Sequence, residues 1–141
     1  MKLTTSLRKN YGKKLFILFI FSILIFITGC EKDQGISTSD RDKFIGSWLA
    51  QSNGSRGTRN FTLTITASNS ASDQVIMQNF DGGGSNTFIP ATISGSSLSI
   101  IRTIVAGETI EGSGSYSGNL NFTFTLDDGQ TIENRTCTAH K

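Results

Sequence analysis

The chain has 141 residues, the size of one domain, with 13 basic and 11 acidic side chains and a formal charge of +2. Five of the basic residues (Lys2, Arg8, Lys9, Lys13 and Lys14) precede an apolar run over residues 15–27, and every acid follows it. Residues 1–29 therefore read as a cleaved export signal. The remaining chain, Cys30 to Lys141, has eight basic against eleven acidic residues, a balance of −3. No basic patch survives such processing, which excludes nucleic acid as a partner. One His and two Cys exclude most metal and thiol chemistry, and no cofactor is expected.

The apolar run is 13 residues, broken only by Ser22. As a helix it would reach about 20 Å, short of a hydrocarbon core of roughly 30 Å. That length suits a signal-peptide core. Ile27-Thr28-Gly29-Cys30 resembles the bacterial lipobox. The resemblance implies acyl chains on Cys30 and a membrane partner reached through that anchor. It places the protein at the outer membrane, facing the periplasm or the cell surface. Residues 30–43 read as the lipidated Cys and a flexible tether, since charges alternate there and only Ile36 is strongly apolar.

Residues 44–141 carry strand signals. Phe61, Leu63 and Ile65 alternate with Thr, and Leu120, Phe122, Phe124 and Leu126 alternate with polar residues. Turn signals such as Asp81-Gly82-Gly83-Gly84, Ala106-Gly107 and Asp128-Gly129 recur at short spacing. They delimit eight strands near 44–51, 59–67, 74–80, 86–93, 97–105, 108–117, 119–127 and 130–139. The fold class is all-β. An eight-stranded antiparallel up-and-down barrel is favoured because closure removes exposed edges, with a two-sheet β-sandwich as the alternative.

Asp42-Lys43-Phe44-Ile45-Gly46-Ser47-Trp48 resembles the opening of lipocalins and fatty-acid-binding proteins, the calycin superfamily. Ile110 to Tyr116, Asp128-Gly129 and Cys137-Thr138-Ala139 resemble the C-terminal half of small lipocalin-like lipoproteins of Bacteroidota-type bacteria. The resemblance implies that Gly46, Trp48 and Arg135 close one end of a barrel, with the Arg135 guanidinium over the Trp48 ring. It also implies a monomer that takes a small lipophilic ligand. The candidate cavity lining is Phe44, Phe61, Leu63, Ile65, Leu120, Phe122, Phe124 and Leu126. The same side chains could instead fill a small barrel completely. The alternative function is then a non-catalytic envelope protein that recognises a protein or glycan through its loops.

No catalytic set emerges, and the chain does not read as an enzyme. His140 is penultimate. Glu108 and Glu111 fall on opposite faces of one strand, and Asp127-Asp128-Gly129 suits a turn. Asp81 to Gly84 lacks the Lys and helix of a phosphate loop and reads as a mobile turn, with a rim at a barrel mouth as the alternative. Gly112 and Gly114 imply close packing against something large, for which Trp48 is a candidate. Cys137 reads as a buried thiol, with an intermolecular disulfide as the alternative, and Arg102 as a residue facing water across a bulge, with a place at a barrel mouth binding a carboxylate headgroup as the alternative.

Overall fold

The computed structural model describes residues 38–141. The expectations for residues 1–37, including the signal and Cys30, lie outside the described residues. A short helix, Thr38–Asp42, leads into eight strands: β1 Gly46–Gly54, β2 Gly57–Ala67, β3 Gln74–Gln78, β4 Phe88–Ser94, β5 Ser97–Val105, β6 Glu108–Tyr116, β7 Leu120–Asp127 and β8 Ile132–His140. Each strand pairs antiparallel with its chain neighbour. β8 returns to β1, with Ala50 opposite Ala139 and Asn53 opposite Thr136, so the ladder closes into an up-and-down barrel. The sandwich alternative does not form. Part of the expected tether, residues 38–42, is instead a helical turn, and Lys43 Nζ lies 3.2 Å from Asp40.

Alternation fixes what enters the core. Every second residue of β7 is buried, and so is every second residue of β8 from Glu133 to Ala139. In β5 a bulge between Ile100 and Thr103 breaks the alternation. Leu98 and Ile100 are buried, but the extra residue turns Ile104 out to solvent at 74% exposure. Arg102 points outward there, 3.7 Å from Glu111 on the barrel surface.

β6 brings Gly112 and Gly114 opposite Phe124 and Phe122. A Cβ on Gly112 would lie 2.8 Å from Phe124 Cα, and one on Gly114 would lie 2.6 Å from the Asn121 carbonyl oxygen. The large neighbours of these glycines are therefore Phe122 and Phe124, and not Trp48 as expected. Without side chains at 112 and 114, β6 can bend inward and the two Phe rings can cross the barrel.

The barrel has two different ends. At one, Phe44 and Trp48 pack against Tyr116, with ring centroids 5.8 Å and 6.1 Å away. Trp48 Nε1 donates to the Phe44 carbonyl at 2.8 Å. The chain enters the barrel here, and Lys43 reaches the β4–β5 turn at Ser96 Oγ, 3.3 Å away. At the other end, the mouth, a 3-10 turn over Phe80–Gly82 folds into the opening. Phe80 meets Phe122 and Phe124 at centroid distances of 5.6 Å and 4.7 Å.

Between these ends the interior is solid. A void able to hold one water leaves accessible surface on its lining. Leu63, Ile65, Val75, Met77, Ile89, Ala91, Ile93, Leu120 and Ala139 have none.

Candidate functional site

The residues expected to line a cavity are core residues in contact with one another. Phe44, Leu63, Ile65, Leu120, Phe122, Phe124 and Leu126 are buried, and Phe61 packs partly buried against them. The best-formed concavities are shallow and mostly lie on the outer wall. One, of about 570 Å³, runs over the β8–β1–β2 surface past Leu49, Gln51, Phe61 and His140. Another, of about 100 Å³, sits at the mouth between Arg59, Asp81, Val105 and Glu108.

Gly46, Trp48 and Arg135 are not brought together. The cation over the Trp48 ring is Lys141, whose Nζ is 4.6 Å from the centroid and donates to the Ile45 carbonyl at 2.9 Å. Gly46 makes room for it, since a Cβ there would lie 3.3 Å from Lys141 Cε. The β1/β8 register carries Arg135 to the level of Gly54, six residues from Lys141 and so roughly 20 Å away. Its guanidinium therefore lies at the mouth end.

Arg135 anchors an ionic network there. It is 1% exposed. Nη1 donates to Glu133 Oε1 at 2.8 Å, and Nη2 donates to Ser52 Oγ and the Gly57 carbonyl, both at 3.0 Å. Asp81, delivered by the 3-10 turn, accepts from Ser52 Oγ and from Arg59 Nη1, the latter at 2.7 Å. Arg56 at the tip of the β1–β2 hairpin reaches Glu108 at 2.6 Å, Asp128 at 3.0 Å and Glu133 at 3.2 Å. One side chain thus ties together three of the hairpins that form the mouth.

Sequence reasoning missed this network. Its signal was in β8, where Glu133 and Arg135 share the inward parity of Cys137 and Ala139. Two charges at inward positions require each other, or a third partner, because neither can be buried alone.

The network moves carboxyl titrations downward. Burial alone would raise Glu133, but the Arg56 amide and the Arg135 guanidinium outweigh it and hold this carboxyl below its ordinary value. The Thr131 and Gln130 amides bring Asp128 down to about 2. Their hydrogen bonds, at 2.7 Å and 2.9 Å, make this the turn that the sequence suggested. Both carboxyls bind protons more readily in the unfolded chain. Their stabilisation is therefore complete above about pH 4.5 and is lost as pH falls toward 2. Urea midpoints should fall across that window, and Asp128→Ala should flatten the decline. An unchanged acid limb in that variant would contradict the assignment.

Cys137 lies in the core, and burial pushes its thiol up to about 12, with Asp81 adding to the shift and Arg135 opposing it. The folded protein should leave a thiol-disulfide reagent unreacted at about pH 8, whereas the unfolded chain should titrate in full. Rapid labelling without denaturant would show that the barrel opens around β8.

Among the described residues, no group of three or more His, Cys, Asp or Glu could hold a metal ion. Compared with family models, curated proteins and solved structures, the chain finds no match. The reading of the site therefore rests on its own geometry.

The mouth carries a further feature. Among the described residues, three of the four exposed large apolar side chains lie at this end: Ile104 at 74%, Ile132 at 67% and Phe88 at 51%. Ile104 adjoins the β5–β6 turn, Ile132 follows the β7–β8 turn, and Phe88 follows the β3–β4 connection that carries the 3-10 turn. They stand at the mouth ends of β4, β5 and β8.

Proposed function

We propose that the protein is a lipid-anchored, non-catalytic recognition module of the bacterial envelope, of the small lipocalin-like lipoprotein kind, that binds a protein partner through its mouth rim. The observation that carries this reading is the rim itself, with apolar side chains standing on hairpins braced by ion pairs. Apolar side chains gathered at one end of a small protein are typical of protein-binding surfaces. A pre-ordered rim loses little conformational freedom on binding.

The solid interior favours external recognition over carriage of a lipid. His140 is exposed and Cys137 is buried, so neither is set beside a partner for nucleophilic or acid–base chemistry.

Photo-crosslinking in cells tests the proposal. A photoreactive residue at Ile104 or Ile132 should give a discrete adduct with another protein. One at Leu49 should not, although Leu49 is also exposed and apolar. Cys30→Ala should release the protein from the membrane fraction. Adducts equally frequent at all three positions, or absent from the rim, would overturn the proposed surface.

A further inference from the structure

We propose that Phe80 and Asp81 are a built-in occupant of a binding site inside the mouth, and that this site takes a small aryl-alkyl carboxylate when the plug swings out. This goes beyond docking at the rim, because the ligand would sit beneath the plug and would not depend on Ile104 or Ile132.

Three observations converge on the site. The first is that the plug is no part of the wall. The ladder is closed from β1 to β8, and Gln78 pairs directly with Phe88 across the base of the β3–β4 hairpin. Residues 79–87 are an excursion from that hairpin and can leave without breaking any strand pair. Within the segment Gly83 N donates to the Phe80 carbonyl at 2.9 Å and Thr87 Oγ1 to the Gly83 carbonyl at 2.7 Å. Besides the Asp81 contacts, opening would break two side-chain bonds, from Asn79 Nδ2 to the Thr62 carbonyl at 2.9 Å and from Gln78 Nε2 to the Ser85 carbonyl at 2.7 Å.

The second is that the occupant fits the site imperfectly. Arg135 Nε is buried and makes no hydrogen bond. Asp81 Oδ1 is 3.3 Å from it but misaligned, because the carboxylate is held toward Ser52 and Arg59. A guanidinium edge normally takes a carboxylate through two parallel bonds. A buried donor left unfilled is destabilising. A free carboxylate, without a backbone holding it, can align with Nε.

The third is the backbone of the plug. Asn79 at φ 58° and Asp81 at φ 51° are left-handed, and three glycines follow. Asn and Asp adopt this conformation more readily than other non-glycine residues, so the segment forms a tight reversal that turns Phe80 and Asp81 into the mouth.

The chemistry of the site defines its ligand. Phe122 and Phe124 would accept an aromatic ring where Phe80 lies, and Arg135, Ser52 and Arg59 would accept the anion. The space vacated is the size of one Phe side chain, which excludes long-chain lipids.

The test uses residues 36–141, which form one compact unit with its own core, and 4-phenylbutyrate as the probe. In the unaltered protein, saturating probe should speed hydrogen exchange at the Gly82 and Gly83 amides while the strand amides stay protected. Asp81→Asn, which removes the competing carboxylate, should bind the probe about tenfold more tightly, the factor expected of a charge-assisted hydrogen bond. Phe80→Ala should do the same, and serves if Asp81→Asn fails to fold. The uncharged analogue 4-phenylbutanamide should bind at least about tenfold more weakly to every form. Folded plug variants that bind no more tightly than the unaltered protein would overturn the proposal. So would saturation that leaves the plug amides unchanged, or equal binding of acid and amide.

Discussion

Gly114→Ala should destabilise the barrel by roughly 3 kcal/mol, a large part of the stability of a domain this size. The added methyl would meet Phe122 Cβ and the Asn121 carbonyl oxygen of the adjacent strand. Neither is the far end of a flexible side chain, so β6 and β7 would have to separate. Gly118→Ala is the control. That glycine lies in a turn at φ 91° with open space around it, and its substitution should cost about 1 kcal/mol through backbone strain alone. Urea unfolding of the two variants measures the difference. Equal losses would mean that the β6 glycines are not what admits the Phe rings.

Arg135→Met should cost about 3 kcal/mol near neutral pH, because it removes the cation that Asp81 and Glu133 share and leaves each buried carboxylate with one partly exposed arginine, Arg59 or Arg56. Most of the loss comes from the partners left behind. Adding Asp81→Asn and Glu133→Gln to the same chain should therefore recover much of it. The deficit of the single variant should also shrink as pH falls, since Glu133, whose carboxyl the Arg135 guanidinium helps to hold below its ordinary value, then takes up a proton more readily than in the unaltered protein. The check is a set of urea midpoints for the single and triple variants at about pH 7 and pH 4. A triple variant no more stable than the single one would show that Arg135 acts by packing alone.

Most of the architecture was legible because it depends on period and punctuation. The alternation through Phe61, Leu63 and Ile65, and through Leu120 to Leu126, falls within β2 and β7. Turns at Ala106-Gly107 and Asp128-Gly129 fall where the hairpins reverse. Parity says which way a side chain points, but not what lies opposite. Gly112 and Gly114 were therefore recognised as sites of close packing and assigned the wrong neighbour. The same limit explains Arg135. A cation near the end of the last strand was expected over Trp48, and only the register shows that Lys141 reaches the ring.

The plug was hidden for a different reason. Val75 and Met77 point inward, so alternation would send Asn79 inward as well. The left-handed backbone at Asn79 breaks the alternation and turns Phe80 into the barrel. A run of three glycines gives no hint of that reversal, because it suits an open turn as well as a folded one. The bulge in β5 acts similarly, placing Ile104 on the rim when its parity with Ile100 would place it in the core.

The central claim is that the barrel is filled by its own side chains and carries no long-chain lipid. Native mass spectrometry tests this most directly. Residues 36–141, purified without detergent, would be incubated with a bacterial lipid extract and desalted. The packed interior predicts the bare polypeptide mass. A stoichiometric long-chain lipid adduct that survives desalting, and is lost in Phe122→Trp, would contradict it and make the barrel a carrier.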